Sequence, residues 1–240
     1  MNICVYGAAS QQIHTDFLQG AQQLGHCLAK AGFCLVFGGG NTGVMGACAR
    51  GAAQAGGEIL GIAPSFFNQE GVLFPHCTRL HLTDTMRQRK EQMETLSQGF
   101  VMAPGGIGTL EEFFEILTLK QLGRHQKPIA VLNIRGYFDA LEELLEGAVG
   151  EGFLEKEVLS MYRLFREPEE AVRLSNLADF PSVQTVVQAR FQAAGIPLLT
   201  RYPEGGGLGK VYLGFSGYGV DLYVPKSRES EARALLLHDE

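Results

Sequence analysis

The sequence predicts an α/β protein whose larger part is a Rossmann-like, doubly wound parallel sheet and whose last part is a small α+β domain. Two observations predict the sheet: short runs that are apolar throughout, and longer stretches with helical spacing between them. Strands that are apolar on both faces are typical of parallel sheets covered by helices on each side. The apolar runs predicted to be strands are 3–6, 34–37, 58–63, 100–103 and 129–132.

Two of the intervening stretches place apolar residues three and four positions apart, which is the spacing of a helix with one buried face. The first set is Leu18, Ala21, Leu24, Cys27 and Leu28. The second set is Leu110, Phe113, Phe114 and Leu117. Each stretch is therefore predicted to be a helix that packs on the sheet.

A change of sequence rhythm near Ser175 predicts a domain boundary. We predict a first domain over 1–175, a linker at 176–181 and an α+β domain over 182–240. Glycine, proline and polar residues mark the turns between the elements of the second domain. The elements predicted there are a helix at 183–194, strands at 197–202, 210–215 and 220–224, a glycine hairpin loop at 205–207, and a helix at 229–238.

Composition excludes several classes of function. The 240 residues are 45% hydrophobic and carry 20 basic and 26 acidic side chains, a net charge of −6. Without a basic excess, nucleic acid and anionic membranes are not expected partners. The lack of an apolar leader or spanning segment predicts a cytoplasmic location. The five cysteines form no CxxC pair and no Cys/His spacing fits a metal site, so we expect free thiols, no metal and no cofactor.

A first glycine-rich turn follows the predicted strand at 34–37. Gly38, Gly40 and Gly43 match the GxGxxG pattern of dinucleotide-binding loops. That pattern needs an acid at the end of the next strand, whereas Glu58 stands at its start. Two interpretations stay open: a dinucleotide site, as in a dehydrogenase, or a tight turn with close packing of helix on sheet.

A second glycine-rich turn lies in residues 103–112, which read APGGIGTLEE. Free backbone N–H groups and the positive end of a helix dipole favour a phosphate at such a strand-to-helix turn. The same residues match a capping box, in which Thr109 caps the helix and Glu112 reaches back to its first N–H. Spacing alone therefore leaves Glu112 as either a structural cap or a functional carboxylate.

A basic helix is predicted just before the strand that leads into this second turn. Arg87, Arg89 and Lys90 lie within the stretch 85–93. One interpretation is a solvated face of the helix. The other is that the bases offset the charge of a phosphate or of carboxylates, since the helix runs into the strand that carries the turn.

Taken together, these motifs resemble the LOG family of cytokinin-activating phosphoribohydrolases, whose pattern is PGGxGTxxE preceded by Met-His-x-Arg-Lys. The resemblance implies a homodimer or larger assembly. It also implies hydrolysis of the N-glycosidic bond of a nucleoside 5′-monophosphate, such as AMP or a cytokinin nucleotide, to free base and ribose 5-phosphate. The resemblance extends over about residues 1–175 and is carried by 38–40, 86–90, 104–112, 121–123, 127–128 and 132–137.

Carried over by position, the resemblance implies that Arg89 and Glu112 are the catalytic pair. Glu112 would face the positive charge that develops on the sugar as the ribose–base bond breaks. The residues implied to bind the substrate and its phosphate are Gly105, Gly106, Ile107, Gly108, Thr109, Lys90, Thr118, Gly39 and Gly40. Arg87 replaces the usual histidine of the family and Ile107 a common tyrosine, and these departures are expected to bear on base preference.

An alternative function comes with the same resemblance. Related Rossmann-like proteins that carry a nucleotide or the molybdenum cofactor without catalysis keep the glycine loops but lose the acid and the base. The presence of both Arg89 and Glu112 favours the enzyme. In the second domain, 192–197 and 220–225 are similar to small ferredoxin-like signal-transducing modules, which implies a role in regulation, oligomer contacts or a lid.

Overall fold

The computed structural model describes residues 1–170, 191–197, 208–213 and 220–237. Within 1–170 the strands are β1 (Asn2–Tyr6), β2 (Cys34–Phe37), β3 (Ile59–Pro64), β4 (Arg79–Thr83), β5 (Gly99–Met102), β6 (Ile129–Leu132) and β7 (Arg163–Phe165). They form one sheet in the order β4-β3-β2-β1-β5-β6-β7, and every neighbouring pair is parallel. The predicted Rossmann-like parallel sheet is thereby confirmed.

Helices separate most of these strands along the chain, as an α/β fold requires. They are α1 (Thr15–Lys30), α2 (Gly43–Gln54), α3 (Met86–Leu96), α4 (Ile107–Gln121) and α5 (Asp139–Gly150). The two stretches with helical spacing lie within α1 and α4, so both predicted helices are confirmed. Among the helices that the structure describes, none is long and apolar enough to cross a membrane.

Two strands, β4 and β7, were not expected from the apolar pattern. β4 reads RLHLT and lies at the edge of the sheet, where all of its residues except Thr83 are exposed. Its alternation of polar and apolar residues differs from the continuous apolar runs of the central strands. β7 has three residues, and a run so short gives no periodic signal.

The direction in which the chain crosses the sheet reverses at β1, whose two neighbours are β2 and β5. The turns that follow β1 and β5 contact each other, because the Ala8 N–H donates to the Pro104 carbonyl at 3.1 Å. In open parallel sheets, ligands bind outside the carboxyl ends of the strands at such a reversal. The second glycine turn therefore lies at the expected binding edge.

The chain divides into two compact units, Met1–Leu117 with Lys127–Phe180, and Thr118–Gln126 with Pro181–Glu240. In the second unit, β8 (Leu208–Leu213) and β9 (Val220–Pro225) pair antiparallel, and α6 (Glu229–Leu237) follows them. These elements match the last two predicted strands and the last predicted helix in position.

Other predictions for the C-terminal part fall mainly outside the described residues. Of the helix predicted at 183–194, residues 191–194 are described, and 191–193 are helical. The glycine loop at 205–207 lies outside the described part, as does the strand at 197–202 apart from residue 197. The domain boundary between 175 and 182 and the ferredoxin-like character of the second domain stay predictions.

Candidate active site

Arg89 and Glu112 form an ion pair near the carboxyl edge of the sheet. Arg89 lies in the first turn of α3, Glu112 lies in the second turn of α4, and β5 joins the two helices. Nη1 of Arg89 donates to Oε1 of Glu112 at 2.7 Å. The side chains are 9% and 11% exposed, so both are nearly buried while an edge of each reaches solvent.

Three elements besides α4 determine where the Arg89 guanidinium lies. α3 begins with a capping box, in which the Thr85 hydroxyl accepts from the Gln88 N–H and the Gln88 side chain accepts from the Thr85 N–H, both at 3.2 Å. The Arg89 Nε donates to the Ile62 carbonyl of β3 at 3.3 Å. The guanidinium fills the space beside Gly38, at the end of β2.

The environment of Glu112 opposes ionisation, and its partner favours it. Burial raises the pKa of the Glu112 carboxyl, while the charge and hydrogen bond of Arg89 oppose that rise. On β1, burial raises the pKa of the Cys4 thiol to about 12 and raises the pKa of the Tyr6 phenol well above its ordinary value. Cys4 and Tyr6 are therefore neutral at physiological pH, and Arg89 supplies the countercharge that a buried carboxylate needs.

The capping box, one of the two interpretations of residues 109–112, is not formed at the start of α4. The helix begins at Ile107, so Thr109 lies inside its first turn rather than at its cap. The Leu110 N–H donates to the Gly106 carbonyl at 3.1 Å, which closes that first turn earlier than the pattern predicts. The Glu112 carboxylate accepts from Arg89 instead of from the helix backbone. Of the two interpretations of Glu112, the structure therefore excludes the structural cap.

The turn after β5 presents two of its three glycines to open space. Gly106, Ile107 and Gly108 are exposed, and a Cβ added at Gly106 or Gly108 would meet no atom within 4 Å. Gly105 and Thr109 are buried behind them. This arrangement leaves room at the N-terminus of α4, where unpaired N–H groups and the helix dipole favour an anion.

Tyr137, which the sequence analysis did not single out as a site residue, supports this turn. Its hydroxyl donates to the Gly105 carbonyl at 2.8 Å, and its ring packs edge-on against Phe17. The signal available in the sequence was the stretch 132–137, whose last residue is this tyrosine. Tyr137 thus ties the segment after β6 to the turn after β5.

Gly39 and Gly40, implied as ligand-binding residues, lie in a turn whose backbone is paired with another loop. The Gly39 carbonyl accepts from the Phe74 N–H at 2.8 Å, and Gly40 forms a bridge with Leu73. Gly39 has φ of 77°, a conformation that favours glycine. The structure thus places these two residues at the same sheet edge with part of their backbone already bonded.

Lys90 of α3 and Thr118 of α4 are also implied to face the ligand. The Lys90 amine binds the carboxylates of Glu111 and Glu115, the latter at 3.0 Å. Thr118 is exposed and follows Glu112 by six residues, which is about 9 Å along a helix axis. The structure therefore joins Arg89 with Glu112, and Lys90 with Glu111 and Glu115, and the charge of Lys90 also acts to lower the pKa of Glu112.

The fold and the site together define a class of protein. It is a doubly wound α/β protein with a glycine turn and helix N-terminus at the reversal point of the sheet, an arrangement that holds phosphate groups in open sheets. The carboxylate of a buried carboxylate–guanidinium pair stands on the helix that begins at that turn, and the guanidinium stands on the helix before it. Among the described residues, no three His, Cys, Asp or Glu side chains are grouped as a metal site would require.

Comparison with known proteins identifies the family within this class. The family model described as "Possible lysine decarboxylase" matches residues 45–174. A cytokinin riboside 5′-monophosphate phosphoribohydrolase of Rhodococcoides fascians is 36% identical over 172 residues, which cover 71% of this chain and 87% of the relative. The chain belongs to this family, the LOG family.

Two further comparisons extend this result. A probable cytokinin riboside 5′-monophosphate phosphoribohydrolase of Oryza sativa is 36% identical over 152 residues, 63% of this chain, and the chain spans 62% of the length of that relative. The molybdenum cofactor binding protein of Rippkaea orientalis has a TM-score of 0.56 and 25% identity, over 72% of this chain and 94% of that protein. The fold is thus shared by proteins named as enzymes and by a protein named for cofactor binding.

Proposed function

We propose that this protein hydrolyses the N-glycosidic bond of a purine or cytokinin nucleoside 5′-monophosphate to free base and ribose 5-phosphate. The observation that carries the proposal is the Arg89–Glu112 ion pair, nearly buried and located one helical turn beyond an open glycine turn. A phosphate at that turn would place the sugar of the same nucleotide toward the carboxylate. The names of the relatives from Rhodococcoides fascians and Oryza sativa support this reaction class.

The turn after β5 binds the 5′-phosphate in this proposal. Gly106 and Gly108 lack side chains, so the phosphate approaches the backbone N–H groups at the start of α4. Gly105, Ile107 and Thr109 complete the turn, with Thr109 buried in the first helical turn. The substrate is thus anchored at the end remote from the bond that breaks, which holds the ribose in a fixed position.

Glu112 acts on the sugar. As the bond between C1′ and the base nitrogen breaks, its electron pair leaves with the base and positive charge develops on C1′ and the ring oxygen. An adjacent carboxylate stabilises that charge and orients a water molecule. The water oxygen bonds to C1′, one of its protons goes to the base, and the other is retained on the new hydroxyl, so one water is consumed per base released.

Arg89 has two roles in the proposed reaction. Its guanidinium keeps the buried Glu112 carboxyl ionised by opposing the effect of burial on the pKa of that group. Its remaining N–H groups can donate to the departing base. Because protonation of Glu112 would abolish its electrostatic role, we expect activity to fall as the pH drops through the raised pKa of Glu112.

Release of adenine from AMP tests the proposal. We expect the wild-type protein to liberate adenine and ribose 5-phosphate, and Glu112→Gln to lower kcat by about 10²–10⁴-fold while AMP still binds. Glu111→Gln is the matched control, since it removes the same charge one residue away, from a side chain that is 53% exposed and paired with Lys90. Equal losses in the two variants would contradict the assigned role of Glu112.

The second candidate is a carrier that binds a nucleotide or the molybdenum cofactor without catalysis. The similarity to the Rippkaea orientalis protein favours it, while the intact Arg89–Glu112 pair favours the hydrolase. Equilibrium binding of AMP together with base release separates the two. Tight binding by a protein that liberates no base from any purine nucleoside monophosphate would establish the carrier.

We also propose a homodimer or larger homo-oligomer in a reducing, cytoplasmic compartment. Several large apolar side chains are exposed in the described part, among them Phe66, Leu144 and Phe153 at 53%, 65% and 74%. Free thiols at all five cysteines suit a reducing compartment. Light scattering on the purified chain measures the assembly, and a monomeric mass would contradict the oligomer.

A further inference from the structure

The backbone conformation at position 38 does not explain why this residue is a glycine. It directly follows β2 and is buried, but it is not among the described glycines with positive φ, unlike Gly39 at 77° and Gly43 at 61°. An alanine could therefore adopt its backbone conformation without strain. The reason for glycine at this position must lie in the atoms that surround it.

The atoms beside Gly38 belong mainly to the Arg89 guanidinium. A Cβ built on Gly38 would overlap Nη2 of Arg89 and would lie 3.2 Å from its Cζ and 3.2 Å from the Met45 sulfur. A guanidinium at the end of a free side chain could swing away. That of Arg89 is held by the Ile62 carbonyl on one side and by Glu112 on the other, and only 7% of the residue is exposed.

We propose that Gly38 is a positioning residue for Arg89, and that its missing side chain provides the space in which the guanidinium faces Glu112. The inference rests on the proposed hydrolysis. It gives the first glycine of the turn after β2 a role that is neither backbone conformation nor contact with a ligand. The role is exerted wholly through Arg89.

A methyl group at position 38 forces the guanidinium to move, because its carbon would overlap Nη2 of Arg89. The 2.7 Å hydrogen bond to Glu112 or the 3.3 Å bond to Ile62 must then lengthen or break. Because Arg89 opposes the rise in the pKa of Glu112 caused by burial, its displacement lets that pKa rise further. The acid limb of the pH–rate profile therefore moves to higher pH.

The first experiment compares Gly38→Ala with wild type for release of adenine from AMP. We expect kcat to fall by about 10²-fold, as for other misplacements of about 1 Å, with little change in KM and with the acid limb at higher pH. Gly20→Ala is the matched control. Gly20 lies in α1, and a Cβ there would likewise press on the end of a side chain, at 2.5 Å from Ile134 Cδ1. Wild-type kcat and pH profile in Gly38→Ala would overturn the proposal.

A double-mutant cycle tests whether Gly38 acts through Arg89. Lysine at position 89 has no Nη atoms to meet a methyl group at position 38. We therefore expect Arg89→Lys to cost less activity in the Gly38→Ala background than in wild type. Losses that simply multiply would show that the two positions act independently and would overturn the inference.

Two measurements do not depend on turnover. Carbon-13 NMR of the Glu112 carboxyl, assigned with Glu112→Gln, should give a higher pKa in Gly38→Ala than in wild type or Gly20→Ala. Gly38→Ala should lower the melting temperature in the wild-type background but not in an Arg89→Ala background, because the overlapping group is gone there. A shifted pKa in a protein that releases no base would contradict the hydrolase and support the positioning role. An unshifted pKa in an active enzyme, or an equal fall in melting temperature in both backgrounds, would do the reverse.

Discussion

The turn after β2 and the turn after β5 are both rich in glycine, yet protein atoms fill the first, whereas Gly106 and Gly108 of the second face open space. In the first turn, Arg89 occupies the space beside Gly38, and backbone atoms of residues 8–10 lie against Gly43. In the second turn, a Cβ at Gly106 or Gly108 would touch nothing within 4 Å. The same residue type therefore serves the packing of the site in one turn and access of a ligand in the other.

This difference bears on the two interpretations that the GxGxxG pattern leaves open. In the described structure the turn after β2 has close contacts with protein, as the packing interpretation requires. The exposed helix start that suits a phosphate follows β5 instead. Variants of the first turn should accordingly change stability or the ion pair, and variants of the second should change substrate affinity.

The largest effect is expected for Gly43→Ala in the first turn. The residue has φ of 61°, and a Cβ would lie 2.5–2.6 Å from the Ala8 carbonyl oxygen, the Ala9 carbonyl carbon and the Ser10 carbonyl oxygen. Left-handed strain and overpacking together should lower the free energy of unfolding by about 2–5 kcal/mol. Denaturant titration of Gly43→Ala and of wild type measures this difference in the free energy of unfolding.

Gly56→Ala is the control for that variant. Its φ is 72°, but a Cβ there would meet no atom within 4 Å, so it incurs the left-handed strain alone. The difference between the two variants isolates the close approach of the turns after β1 and β2. Equal losses of stability would contradict the description of the first turn as filled.

A somewhat smaller effect is expected for Arg89→Met, which removes the side chain that fills the first turn at Gly38. Glu112 is an acid whose pKa is raised on folding, so its contribution to stability is full below the unfolded pKa and is lost as pH rises through the folded pKa. Without Arg89 the folded pKa rises further, and the loss extends to higher pH. The stability lost as the pH rises should be larger than in wild type by about 2 kcal/mol, the net value of a hydrogen bond to a charged group.

Unfolding curves recorded from acid to neutral pH measure that dependence. Arg87→Met is the control, because Arg87 is an exposed base on the same helix, two residues before Arg89. We expect the pH dependence of stability in Arg87→Met to match that of wild type. A pH dependence of Arg89→Met identical to wild type would show that the ion pair does not set the ionisation of Glu112.

The smallest effect is expected for Gly108→Ala in the second turn. Alanine favours a helix by about 1 kcal/mol over glycine, so stability should not fall. The methyl group should instead obstruct the phosphate and raise KM for AMP by about tenfold, which is about 1.4 kcal/mol of binding. Gly147→Ala, in α5 and also without atoms within 4 Å, should gain helix stability with no change in KM. A loss of stability in Gly108→Ala would mean that this turn, too, is filled.

Most of the sheet is predictable from the sequence because its central strands are buried on both faces. Continuous apolar runs such as ILGIAP and IAVL leave few alternatives to a parallel, covered sheet. β4 and β7 cannot be predicted in this way, because an exposed edge strand and a three-residue strand give no continuous apolar run. The order of the strands in the sheet cannot be predicted from local sequence pattern either, because pairing partners such as β1 and β5 are nearly a hundred residues apart.

The candidate site divides in the same way. Family motifs pointed to Arg89 and Glu112, and the structure brings these two side chains into contact. Local pattern could not decide between a capping box and a functional carboxylate at Glu112, because the outcome depends on a long-range partner, Arg89, and α4 begins three residues earlier than a cap at Thr109 would place it. The role of the space beside Gly38 cannot be predicted from the sequence, because it depends on where the side chain of Arg89, 51 positions later, comes to lie.

The hydrogen bond from Arg89 to the Ile62 carbonyl connects the site to the assembly of the whole sheet. The guanidinium is held by β3, on one flank of the central strand β1, while Glu112 comes from the helix that follows β5, on the other flank. A polypeptide in which either flank has not yet formed holds no oriented pair. In a refolding experiment, the onset of base release would therefore time the moment at which both halves of the sheet have joined.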